Sequence, residues 1–393
     1  MTVGIIITFC VLLLCAYVFD LTSSRTKIPS VILLLILGWT VRKLTVSFDI
    51  QLPGFSSVLP GLGTVGLILI VLEGSLELEL NKSKFRIIAT SFFGALIPML
   101  ALSFLLAFAF RYFGHFGLKD SLTNAIPFCV ISSAIAIPSV RNLATRNKEF
   151  IIYESSLSDI IGVLLFNFIA LNEIISTPSF GHFVLQLLII AVISFLATVS
   201  LSFLLSKIDH HVKFVPIILL IVLIYFISKI YHLPGLIFIL FFGIAIGNLD
   251  ELKKFKWLEL FKPEELNKEV IKFRELTSEA AFLVRALFFL LFGYLIEDAE
   301  VLNTDTFLWA LAIVFFIFFF RAIQLKISKL PLQPLLFVAP RGLITILLFL
   351  SIEPTHTISL VNRSLIIQVI ILMALLMMVG LLNHKPSSAR DIA

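Results

Sequence analysis

Two carboxylates stand in the middle of an apolar run. The segment 153–166 reads YESSLSDIIGVLLF and contains Glu154 and Asp159. An ionisable side chain at bilayer depth is expensive unless it is paired, hydrated or bound to an ion, and chains that keep one use it most often to carry a proton or a cation. On a helix turning about 100° per residue, Ser155 lies one turn before Asp159 on the same face, with Ser156 close by. Asp159 and Ser155 can then contribute to a small oxygen cage for a hard monovalent cation. Glu154 points about 140° away from Asp159. It shares its face with Ser158 and is free to pair with a cation elsewhere. The plainer alternative for Ser155 and Ser156 is a hydroxyl bonded to the backbone carbonyl one turn back.

Few other ionisable residues fall at depth: Arg285, Arg321 and Arg341, with Glu73, Glu77 and Glu279 near the ends of apolar runs. Arg285 is expected to snorkel to an interface. Two apolar runs look interrupted. One reads CVISSAIAIPSV, with Ser132, Ser133 and Pro138 inside it; the other reads LFVAPRGLITILLF, with Pro340, Arg341 and Gly342 near its middle. Pro and Gly at mid-span free backbone groups, which is tolerated where they line a cavity or meet a partner. A lone mid-span Pro is often only a kink. Paired interruptions in two halves of a chain point instead to a binding site between inverted repeats.

The elements that must hold these residues are membrane helices. The chain has 393 residues, 59% hydrophobic and 14% charged, with a mean hydropathy of +1.08. Soluble proteins run near 25% charged, so lipid is the solvent for most of this chain. Runs of about 20 apolar residues give about thirteen spans, near 3–20, 29–44, 58–78, 87–111, 123–142, 152–171, 182–206, 213–230, 234–249, 277–297, 306–325, 332–352 and 363–384. The N-terminal run lacks a basic flank and a small-residue cleavage site, so it is counted as the first span. The expected fold is an all-α polytopic membrane protein forming one transporter domain over 1–393. Its inverted repeats would cover about 1–175 and 213–385, with 182–206 as linker helix and crossed discontinuous helices at the fifth and twelfth spans. A Lys- and Glu-rich stretch, 250–276, is expected to be an amphipathic connector at the cytoplasmic surface.

With the N-terminus outside and the C-terminus in the cytoplasm, about 21 Lys and Arg fall on the inner side and about 6 on the outer. That balance fits a plasma membrane, in bacteria the inner membrane. Cys10, Cys15 and Cys129 sit in apolar runs without metal-ligand or redox spacing and are expected to act as small hydrophobes.

Several motifs resemble the monovalent cation:proton antiporter superfamily, which contains the sodium/proton exchangers. KIPSVILLLILGW and LGTVGLILIVLEGSLEL resemble its second and third spans. ESSLSD is similar to the Glu-Ser-x-x-Asn-Asp pattern of the electroneutral branch. FFFRAIQLK resembles a late span with a structural arginine, and APRGLITILLF the crossing helix after it. The resemblance covers nearly the whole chain. It implies that Asp159 is the ion- and proton-binding carboxylate, that Ser155 is an auxiliary ligand, and that Glu154 pairs with Arg321. Arg341 would face half-helix carbonyls at the crossing break. Ser133 and Ser158 join Asp159 and Ser155 as candidate ion ligands, and Pro138, Pro340, Arg341 and Gly342 mark the breaks. The implied assembly is a homodimer in which a core domain moves against a dimerisation domain.

Two departures from the family pattern bear on stoichiometry and ion. Ser158 stands where the electrogenic branch has a second carboxylate, which points to one-for-one exchange. Ile137 precedes Pro138 where the electroneutral branch has Thr-Asp-Pro, and SSAIAI is similar to the potassium-efflux branch. The expected function is antiport of Na⁺, or Li⁺, against H⁺, with roles in ion transport and pH homeostasis. A potassium/proton antiporter or efflux system is the alternative, and a sodium-coupled organic-anion symporter a more distant one. No HExxH or GxSxG motif occurs, so an enzyme is not expected. Neither is a resident cofactor or a nucleic-acid partner; the ions called for are the transported cation, at Asp159, and the proton.

Overall fold

A computed structural model of the chain describes residues 2–26, 28–49, 57–78, 82–141, 143–172, 177–207, 214–231, 233–248 and 263–383. Lys27, Lys213, His232, the first half of the 250–276 connector and the basic tail at Lys385 and Arg390 lie outside them. The described residues form helices joined by short connections, with no strand among them. In chain order the helices are α1 (Thr2–Thr26), α2 (Ser30–Ser47), α3 (Leu59–Glu77), α4 (Phe85–Gly114), α5 (Leu118–Cys129), α6 (Ser133–Ser139), α7 (Thr145–Leu171) and α8 (Thr177–Lys207). They continue with α9 (Phe214–Ile230), α10 (Gly235–Gly247), α11 (Pro263–Leu295), α12 (Asp298–Val301), α13 (Thr304–Ile327), α14 (Leu343–Leu350) and α15 (Arg363–Leu382). Eight stretches among the described residues are long and apolar enough to cross a membrane, and three shorter apolar helices accompany them. The protein is an all-α integral membrane protein.

The first interruption lies elsewhere than its proline suggests. In the fifth expected span the helix stops after Cys129. Val130–Ser132 run extended, and the chain is helical again from Ser133. Pro138 lies inside α6, in its last turn. Its missing N–H forfeits one intrahelical bond without ending the helix, which runs on to Ser139. The β-branched pair Val130-Ile131 disfavours helix where the break occurs. In the twelfth expected span only Leu343–Leu350 is α-helical. Residues 332–337 form a bend and turns, and 338–342 take no regular structure. Pro331, Pro334 and Pro340 account for this, since each lacks an N–H and pushes its predecessor out of the helical region.

The polar connector also differs from expectation. From Pro263 onward it is part of α11, which runs unbroken into the apolar stretch ending at Leu295. Proline suits a first helical position, where its missing N–H would be unpaired anyway.

The chain divides into two compact units. The first comprises Met1–Thr64, Ala89–Phe166 and Leu283–Ala393; the second comprises Val65–Ile88 and Asn167–Phe282. Phe110, Phe128, Phe150, Phe288 and Phe289 are fully buried in the first. There α2 and α11 touch backbone to backbone: a Cβ on Gly38 would collide with the Leu290 carbonyl and sit 2.8 Å from the Tyr294 nitrogen. Gly293 faces Leu35 in the same way. The second unit has a core of Ile68, Leu72, Phe238, Phe242 and Phe273. There Gly243 and Gly247 of α10 press on Ser75 and Leu76 of α3. Arg285 is buried in α11 rather than exposed at an interface, so the snorkelling expectation does not hold.

Candidate functional site

The first unit brings both interruptions together. The Ser132 N–H donates to the Pro340 carbonyl at 2.9 Å, joining the extended stretch after α5 to the non-helical stretch before α14. Gly342 favours this approach, because a Cβ there would strike the Ile135 side chain and lie 3.3 Å from Ser132 Oγ. Arg341 is buried at the same place. Its Nε donates to the Phe128 carbonyl at 2.7 Å, Nη1 to Ala339 at 2.6 Å and Nη2 to Cys129 at 3.4 Å. Phe128 and Cys129 end α5, so the guanidinium satisfies carbonyls that no helical N–H reaches and offsets the negative end of that half-helix.

Helix α7 supplies the other partners of the break. Three consecutive N–H groups, from Ile131 to Ser133, each find an acceptor outside their own helix. Ile131 donates to Ser158 Oγ at 2.9 Å and Ser132 to Pro340. Ser133 donates to Asp159 Oδ2 at 3.2 Å, and its hydroxyl donates to the same oxygen. Buried backbone groups must be paired somewhere, and two adjacent residues of α7 take that role. Asp159 is 2% exposed. Its other oxygen, Oδ1, is buried and makes no hydrogen bond, as are the hydroxyls of Ser132, Ser156 and Thr345.

Ser155 makes the backbone bond expected of a serine within a helix. Its hydroxyl donates to the Ile151 carbonyl one turn back, at 2.7 Å. Glu154 faces away from Asp159 and toward α13. Arg321 Nη1 donates to its Oε1 at 2.8 Å, with both side chains buried. Gln324 Nε2 reaches the same oxygen at 3.1 Å, and Arg321 Nε holds the Leu335 carbonyl at 2.9 Å. The ion pair thus also ties α13 to the turns that precede the second interruption.

Residues 9–383 match the model of a family described as "Sodium/hydrogen exchanger, transmembrane". The chain belongs to the sodium/hydrogen exchanger family. Members transport monovalent cations and protons across membranes, so the exchanger is a transporter and a cation/proton antiporter. Two solved structures of the sodium proton antiporter MjNhaP1 from Methanocaldococcus jannaschii share the fold. One, at pH 8, aligns with a TM-score of 0.65 at 18% identity over 96% of this chain and 96% of that one. The other, from electron microscopy, gives 0.65 at 19% identity over 97% of this chain and 99% of that one. A search of curated proteins gave no significant match.

Gln324 and Thr345 of the exchanger were not singled out from sequence. Gln324 follows Arg321 by one helical turn and so shares its face, a signal that was available. Thr345 lies in the first turn of α14, and its spacing from Gly342 gave no comparable sign.

Proposed function

We propose that the exchanger swaps one monovalent cation for one proton by competition at Asp159, with Na⁺ as the cation and Li⁺ also accepted. The observation that carries this reading is the state of the carboxylate. One oxygen is held by Ser133, and the other is buried without a hydrogen bond at the meeting of two interrupted elements. A buried unpaired carboxylate oxygen is costly. A proton on Oδ1 or a cation beside it removes that cost, and the site has one such oxygen for the two to share. Either occupant leaves the carboxylate neutral and able to cross the low-dielectric barrier, whereas the empty charged form stays. Exchange follows without a second ion site.

The charge balance supports one-for-one exchange. Glu154 is matched by Arg321, and Arg341 is matched by the helix-end carbonyls of Phe128 and Cys129. Ser133 and Ser158 contribute no charge. Asp159 is left as the single carboxylate at the crossing whose charge changes with its occupant. Alternating access would come from movement of a core domain within a homodimer, as the family resemblance implies. The repeats 1–175 and 213–385 gain support from the meeting of the fifth and twelfth spans. The glycine-mediated crossings of α2 on α11 and of α3 on α10 are also equivalent under that repeat. The distribution of Lys and Arg supports an N-terminus outside and a cytoplasmic C-terminus, in a plasma membrane.

K⁺ is the second reading. The serine pair that is similar to the potassium-efflux branch, Ser132 and Ser133, lies at the break itself, where Ser133 holds Asp159. Proton flux in proteoliposomes driven by Na⁺, Li⁺ or K⁺, with and without a clamped potential, separates these possibilities. Na⁺- and Li⁺-driven flux that ignores the potential supports the proposal. Flux that scales with the potential contradicts one-for-one exchange, and flux driven by K⁺ alone contradicts the choice of cation.

A further inference from the structure

A cavity of about 490 Å³ opens away from the crossing, between α2, the α11–α12 junction and α15. Its size falls in the range of about 300–1,000 Å³ typical of small-molecule sites. Ile32, Leu35, Ile36 and Trp39 line one wall. They recur at helical spacing on a single face of α2, and Lys43 continues that face one turn beyond. From Ile32 to Lys43 the wall rises about 16 Å, first apolar and then charged. Ile371 and Leu375 of α15 form the opposite wall. The first wall cannot shift inward to fill the space, because α2 is held against α11 at Gly38 and Gly293.

Ion pairs lie beside the Trp39 and Asp298 end of the groove. Arg42 meets Glu297 at 2.9 Å, Lys43 meets Asp298, and Arg363 meets Glu300 at 3.2 Å. The Trp39 indole N–H donates to Asp298 at 2.9 Å, and the Lys43 ammonium lies over the Trp39 ring. Tryptophan with a neighbouring lysine is characteristic of the headgroup level of a bilayer. Three cations are matched by three carboxylates beside that end, so no net charge there selects an anion. A ligand that brings both a phosphate and an ammonium can exchange partners with such pairs and leave none of them unmatched. An anionic headgroup would have to displace a carboxylate and then face it.

We propose that this groove is a binding site for a zwitterionic phospholipid with a primary ammonium. One acyl chain lies along Ile32, Ile36 and Leu375, the phosphate rests on Lys43 and Arg42, and the ammonium on Asp298 and Glu297. The site shares no residue with the ion crossing and does not depend on the reading of Asp159.

Native mass spectrometry of the full chain, delipidated and then offered phosphatidylethanolamine, phosphatidylglycerol or phosphatidylcholine, tests this. The expected result is one phosphatidylethanolamine retained per chain, in about tenfold preference to phosphatidylglycerol. Ile36→Trp fills the groove from a position 53% exposed and should abolish that adduct while leaving the melting temperature and exchange rate unchanged. Leu375→Trp, from the opposite wall and 40% exposed, gives the same readout if Ile36→Trp does not fold. Lys43→Ala combined with Asp298→Ala should keep lipid binding but lose the headgroup preference. Equal retention of all three lipids, or undiminished retention in the groove-filled variants, overturns the proposal. So does a lipid-free dimer that Ile36→Trp dissociates, since a second copy of the chain would then cover the groove.

Discussion

The Ser132 N–H and the Pro340 carbonyl meet at 2.9 Å, so each interrupted element supplies what the other lacks. Where α6 starts, an N–H is left over; where prolines break the second element, a carbonyl is left over. Glycine at position 342 favours the contact, since a Cβ there displaces the Ile135 side chain and crowds Ser132. Gly342→Val should cost about 1–3 kcal/mol through overpacking and reduce exchange. Thermal melting in detergent alongside a flux assay checks both. A variant as stable and active as the parent would show that the two elements can part without consequence.

Glu154 has no exposure and Arg321 only 4%. Removing one member of such a pair leaves a buried charge unmatched, at a cost of about 3–5 kcal/mol. Glu154→Ala should therefore lower the melting temperature sharply while the surviving folded fraction keeps its cation affinity. Unchanged melting with weakened affinity would instead move Glu154 into the ion site.

Gly38 and Gly61 make a matched pair for the helix crossing. A Cβ on Gly38 runs into the backbone of α11, which cannot swing aside as a side chain can, whereas nothing lies within 4 Å of a Cβ on Gly61. Gly38→Ala should destabilise by about 1–3 kcal/mol. Gly61→Ala should be neutral or stabilise by up to about 1 kcal/mol, because alanine loses less backbone freedom in a helix. Equal effects in the two variants would contradict backbone contact between α2 and α11.

Asp298 lies outside the spans, and hydrogen bonds from Lys43 and then Trp39 hold its carboxyl below the usual carboxylate range. A carboxyl depressed in the folded state contributes stability above its unfolded value, near 4, and loses that contribution as pH falls through the folded value. The melting temperatures of the parent and Asp298→Asn should therefore differ at neutral pH and converge on acidification below about 4. A gap that widens with acid would have the wrong sign.

The chain's composition and helical spacing made much of this legible. Low charge and long apolar runs set the solvent, and the five-residue step from Glu154 to Asp159 separates their faces. In the structure they look toward Arg321 and Ser133 respectively. The breaks were harder to place. Pro138 marks the run but not the break at Val130–Ser132, where a β-branched pair gives only a weak signal against helix. Pro331 and Pro334 lie around the start of the twelfth span, and their joint effect was to remove a helix where hydropathy alone required one. The partners of the freed N–H groups are long-range, and no local pattern assigns Ser158 to Ile131 or Pro340 to Ser132.

The central claim is that proton and cation compete for the one carboxylate at the crossing. Its most direct test is Asp159→Asn, purified, shown to be folded by an unchanged melting profile, and reconstituted in proteoliposomes with an internal pH indicator. An amide can neither take up a proton nor balance a cation, so Na⁺- and Li⁺-driven proton flux should fall to the level of empty vesicles. Robust cation-driven proton movement through that variant would contradict exchange at Asp159.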